Sequence, residues 1–115
     1  MQTHKDLIVW KDSMQFVKEI YAATAKFPKD EMYGLVSQLR RAVVSIPVNI
    51  SEGAARHSKK EYIQFLYISL GSISEVETLL LIAGDQNYVQ PDQFLMTIEG
   101  LRRKLLNLIK YLKGK

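Results

Sequence analysis

The residues best suited to acid–base or metal chemistry are His4 and His57 and the carboxylates Glu52, Glu75 and Glu77. General acid–base catalysis needs a second group within hydrogen-bond reach of the first. His4 stands near the start of the chain, and His57 is flanked by Arg56, Lys59 and Lys60, with no nucleophile or acid placed beside either. A carboxylate-bridged di-metal bundle carries Glu-x-x-His pairs on its helices. No glutamate in this chain has a histidine three residues on. Cysteine is absent, which removes thiolate nucleophiles, zinc–thiolate sites and iron–sulfur clusters. No glycine-rich phosphate loop occurs either, since "SEG" and "LGS" are short and lie in helical patterns. "NIS" at 49–51 matches a glycosylation acceptor, but it too falls inside a helix pattern. Neither an enzyme nor a cofactor is expected.

The unusual stretch is "SQLRRAVVSIPVNISEG", residues 37–53. At 3.6 residues per turn, Gln38, Arg41, Ser45, Asn49, Glu52 and Arg56 fall in one narrow arc. One flank of that arc holds Leu35, Leu39, Val43, Ile46 and Ile50, and the other holds Val44, Pro47, Val48 and Ala55. A solvated face opposes a single apolar stripe and is rich in Lys and Glu. This row lies between two apolar flanks and is built mainly from Gln, Ser and Asn. It is read as a buried structural or interface polar network of Gln38, Arg41, Ser45, Asn49, Glu52 and Glu75. Buried polar groups must satisfy one another. Glu75, which interrupts the run "GSISEVETLLL", is the expected partner of Arg41, with Gly71 and Ser72 allowing two helices to approach there. Pro47 removes one backbone donor and crowds the carbonyl of Val43, so a bend is expected.

The elements that must position this row are all helical. A first helix is expected from about Thr3 to Lys26, with two adjacent apolar stripes through Trp10 and Phe16. Pro28 breaks it, and Asp30 and Glu31 suit the start of a second helix reaching about Arg56, with Gly34 leaving its first turn open. Ser58 and Glu61 form a capping-box pattern for a third helix over Lys59–Asp85. Gly84 and Asn87 end it, and Pro91 starts a fourth with Leu95, Ile98, Leu101, Leu105, Leu108 and Leu112 as its stripe. No strand alternation or internal repeat appears. Four long helices with short connections in 115 residues predict one all-α domain, an up-down-up-down four-helix bundle over 1–115 with a proline kink in its second helix.

Net charge is +4 with 47% hydrophobic residues, an ordinary globular composition with a mild basic excess. The apolar run Leu7–Trp10 is too short for a signal-peptide core. The most apolar region, 62–84, contains Gln64, Glu75 and Glu77 and is not read as membrane-spanning. A cytoplasmic location without membrane contact is expected. Basic residues gather at Arg56, Lys59 and Lys60 and along the fourth helix at Arg102, Arg103, Lys104 and Lys110. Together they are candidate nucleic-acid contacts whose affinity would fall with salt. The aromatic residues sit mostly at core spacings, so base stacking is not expected.

"LIVWKDSMQFVKEIY", "FPKDEMYGLVSQLRRAVVSIPVNISEG" and "FLYISLGSISEVETLLLIA" together resemble the bacterial four-helix-bundle proteins related to the 23S rRNA intervening-sequence proteins. The resemblance covers nearly the whole chain and is weakest in the fourth helix. The accessory variability protein of diversity-generating retroelements is similar in architecture. The resemblance implies a ring-like homo-oligomer, a pentamer, with RNA or DNA and a reverse-transcriptase-like or other protein as partners. Many relatives carry Ala and a basic residue directly before Gly71-Ser72, where this chain has Ser69 and Leu70. In such a ring the polar row would set register within and between subunits. The functions then in view are an oligomeric nucleic-acid adaptor and an oligomeric module that binds only protein.

Overall fold

The computed structural model describes residues 7–114. Four helices account for most of them: α1 (Ile8–Thr24), α2 (Leu35–Ala54), α3 (Lys59–Asp85) and α4 (Asp92–Lys113), with a short 3-10 turn at Lys29–Glu31. Each helix packs on its chain neighbours, and α1 meets α4 to close the ring, with α2 against α3 the most extensive pair. Partner residues run in opposite directions along three of these pairs. Ser45 meets Ser72 while Ile46 meets Ser69, Glu77 meets Arg102 while Tyr67 meets Lys113, and Asp12 meets Lys104 while Phe16 meets Phe94. The result is an antiparallel bundle measuring 46 × 22 × 20 Å.

Local chemistry explains the ends. The Ser58 side chain accepts from the Glu61 backbone N–H at 3.1 Å, which caps α3 as the sequence pattern requires. At its far end Asn87 takes φ 64°, the left-handed conformation that asparagine tolerates. The Tyr88 N–H then reaches back to the Ala83 carbonyl at 3.0 Å, closing a Schellman-type stop. Pro91 caps α4 rather than occupying its first turn. The second helix begins later than its acidic residues suggest. Asp30 and Glu31 lie in or beside the 3-10 turn, and α2 starts only after Gly34. The expected residues Thr3–Asp6 of the first helix lie outside the described residues.

The core is made of one stripe from each helix. Phe16 and Ile20, Leu39, Ile46 and Ile50, Leu66, Ile73 and Leu80, and Ile98 and Leu105 are all at 0% exposure. In α1 the stripe through Phe16 is buried, whereas Met14 and Tyr21 of the neighbouring stripe are exposed. Every buried side-chain nitrogen or oxygen among the described residues has a hydrogen-bond partner. Burying these side chains contributes roughly 1.5–3 kcal/mol each, which makes the core the main stabilising term.

Candidate interaction surfaces

The polar row separates into a sheltered part and an open part. Ser45 and Asn49 are half-buried where α2 crosses α3. The hydroxyls of Ser45 and Ser72 share a hydrogen bond of 2.8 Å. The Asn49 amide donates to the Ser45 hydroxyl at 2.9 Å and to the Ser45 carbonyl at 2.8 Å. One turn away, buried Ser69 donates to the carbonyl of Ile46, the residue before Pro47, at 2.8 Å. The carbonyl that Pro47 leaves without its backbone donor is that of Val43, one turn earlier, and α2 continues through Pro47 to Ala54.

Gln38, Arg41 and Glu52, by contrast, are exposed, and so is Glu75. Within the single chain the sheltered part of the expected row is therefore Ser45 and Asn49, joined by Ser69 and Ser72 from α3. The expected Arg41–Glu75 ion pair is also not made. Both residues line one groove of about 310 Å³ with Gln38 and Ser45, but Arg41 donates instead to the Ser37 hydroxyl at 3.4 Å. Glu52 meets Arg56 one turn along its own helix at 3.6 Å. Long charged side chains at the rim of an open groove stay in water, which removes any need for a fixed partner.

A second correction concerns close approach. Gly71 is exposed, and a Cβ there would meet nothing within 4 Å. Gly53 does what Gly71 was expected to do. A Cβ on it would lie 2.8 Å from the Phe65 Cβ and 3.1 Å from the Tyr62 carbonyl oxygen. The glycine thus lets α2 and α3 come together near their connection. Its position at the end of the polar row was visible in the sequence, but the neighbour it faces was not.

The basic candidates divide by pairing. Arg102 bridges Glu77 of α3, at 2.8 Å, and Glu99 of its own helix. Lys104 pairs with Asp12 of α1. Arg56 pairs with Glu52 and lies over the Phe65 ring at 4.7 Å. Lys59, Lys60, Arg103 and Lys110 are exposed and make no salt bridge among the described residues. His57 is exposed in the α2–α3 connection, and His4 lies outside the described residues. No three His, Cys, Asp or Glu side chains cluster closely enough to share a metal ion among the described residues.

One face was not anticipated. α3 is long and apolar enough by composition to cross a membrane, yet only 39% of its most apolar 18-residue stretch is buried in the bundle. Its outer arc of roughly 140° carries Tyr67, Ile68, Gly71, Thr78, Leu81 and Ile82. Ile68 is 51% exposed and Ile82 45%. Between Gln64 and Gly84 the only exposed charged residue is Glu75.

A family model described as "23S rRNA-intervening sequence protein" matches residues 5–112. The chain belongs to that family. Among solved structures, one of a protein of unknown function from the S23 ribosomal protein family of Bacteroides thetaiotaomicron is similar in fold. It has a TM-score of 0.65 and 22% identity, over 93% of this chain and 96% of that one. At that identity the likeness shows the shared bundle alone. Comparison with curated proteins gives no match. In this 23S rRNA-intervening sequence family member, the Ser69–Ser72 segment of α3 is thus the internal lock on α2, and the arc around Gly71 is its open side.

Proposed function

We propose that this family member is a non-enzymatic, cytoplasmic homo-oligomer that associates with nucleic acid as an adaptor. The observation that carries the reading is the outer arc of α3. A helix that is apolar on all sides is normally buried on all sides, and this one is covered on only one. A second copy is the occupant of the open arc. Between Gln64 and Gly84 the arc exposes one charge of its own, Glu75, and Lys113 of α4 reaches the Tyr67 hydroxyl, so the apolar part offered to a like surface is Ile68, Leu81 and Ile82 beside Gly71. A ring of five is the assembly the resemblance implies.

Nucleic-acid association is supported by the exposed, uncompensated charges of Lys59, Lys60, Arg103 and Lys110. Repeating them around a ring multiplies weak phosphate contacts into useful affinity. The test is the molar mass of the purified protein by light scattering, with and without single-stranded RNA, at low and moderate salt. A closed oligomer that gains RNA mass only at low salt is the expected result. A closed oligomer indifferent to RNA would shift the reading to a module whose partner is another protein. A stable monomer would defeat the assembly claim. Ile82→Lys is expected to convert the oligomer to monomer while leaving helicity unchanged.

A further inference from the structure

The connection between α1 and α2 holds an arrangement that the nucleic-acid candidates did not include. Tyr33, in the turn before α2, is 97% exposed. It lines a groove of about 550 Å³ with Tyr21, Met32, Ser37, Arg40 and Arg41. The Arg40 guanidinium lies over the Tyr21 ring at 4.5 Å. Its Nε donates to the Thr24 hydroxyl at 2.9 Å and its Nη2 to the Tyr21 carbonyl at 3.3 Å. Arg40 is thus held as a fixed, planar positive group. Arg41 is exposed and reaches only the Ser37 hydroxyl.

Neither arginine has a carboxylate partner among the described residues, unlike Arg56 and Arg102. Two acids stand just before Tyr33, exposed Asp30 and half-buried Glu31, and neither pairs with Arg40 or Arg41. The Glu31 Oε2 accepts from the Tyr88 hydroxyl at 3.0 Å and its Oε1 from the Leu35 N–H at 3.5 Å, which directs that carboxylate away from the arginines. Two guanidiniums without an ion pair, beside an open phenol ring and a methionine, suit a ligand that is both anionic and planar. Single-stranded nucleic acid fits that description, because unpaired bases stack on aromatic and guanidinium planes while their phosphates take the arginine charge.

We infer that this groove is a base-stacking site for single-stranded nucleic acid, with Tyr33 as the stacking platform and Arg41 as a phosphate contact. The inference rests on the nucleic-acid reading above and gives it a location.

The experiment is fluorescence anisotropy of a labelled single-stranded oligouridine titrated with the full chain at several salt concentrations. Tyr33→Ala is expected to weaken binding about tenfold, and Tyr33→Phe to leave it within about twofold, since the stacking ring is retained. Arg41→Gln is expected to weaken binding and to lower the slope of log affinity against log salt by about one. Tyr33 is almost fully exposed, so its variants should fold, and circular dichroism checks this. Wild-type binding that neither Tyr33→Ala nor Arg41→Gln alters would overturn the groove and leave the wider reading standing. No wild-type binding would overturn both. A change in molar mass for Tyr33→Ala, with RNA affinity unmoved, would make the groove a contact between copies and overturn the inference.

Discussion

Ser45 of α2 and Ser72 of α3, 27 residues apart in sequence, join the two helices through a hydroxyl–hydroxyl contact of 2.8 Å. Asn49 completes the cluster by donating to the Ser45 hydroxyl. Removing one hydroxyl leaves its partners short of a bond in a half-buried place. Ser45→Ala and Ser72→Ala should therefore each lower stability by about 1 kcal/mol. The double variant should lose less than the sum. Denaturant melts of all four proteins, arranged as a double-mutant cycle, read the coupling directly.

Gly53 and Gly100 should respond in opposite directions to alanine. At Gly53 the new Cβ would sit 2.8 Å from the Phe65 Cβ and near the Tyr62 backbone, and neither can move away cheaply. We expect Gly53→Ala to destabilise by about 1–3 kcal/mol. At Gly100 the same group meets nothing within 4 Å. There the helix propensity of alanine should stabilise by about 0.5–1 kcal/mol. Thermal melts of both variants settle the signs.

Arg102 was a candidate phosphate contact, but its bond to Glu77 ties α4 to α3. The two side chains are 24% and 32% exposed, so solvent screens them only in part. Arg102→Ala should lower stability by about 0.5–1 kcal/mol, with the difference shrinking in high salt. Equal melting curves for wild type and variant at low salt would free Arg102 for a role in binding.

Tyr88 links the α3–α4 connection to the 3-10 turn through its bond to Glu31. That hydrogen bond, with the surrounding burial and the charges of Glu31 and Asp30, raises its pKa above the ordinary 10.0. A raised pKa means that the native state holds the proton more tightly than the unfolded chain does. The stabilisation is then fully present below the unfolded value and is lost as pH rises through the native one. Wild type should be more stable than Tyr88→Phe at neutral pH, and the gap should close in alkali. Stability measurements across that range, beside an ultraviolet titration of the tyrosines, check both parts.

The sequence already showed the helices and their stops, because these depend on neighbours a few residues away. Ser58 caps Glu61, Pro28 interrupts the chain after α1, and the apolar spacing of Leu39, Ile46 and Ile50 points one face inward. Membership of the 23S rRNA-intervening sequence family was legible for the same reason, since it rests on contiguous motifs. The polar row was legible as an anomaly, but its division was not. Ser45 is sheltered and Arg41 open because of where α3 lies across α2, and helical spacing places both on the same arc.

Other features waited on packing between distant segments. Glu75 interrupts an apolar run in sequence, yet in space it is the one exposed charge on the outer arc of α3 between Gln64 and Gly84. Tyr33 reads as one of eleven aromatics, and only the turn after the 3-10 segment leaves it standing clear beside Arg40 and Arg41. Periodicity tells which residues share a face. Which face is covered, and by what, is decided by the neighbouring helices, whose register is set by many small side-chain contacts summed over the whole bundle.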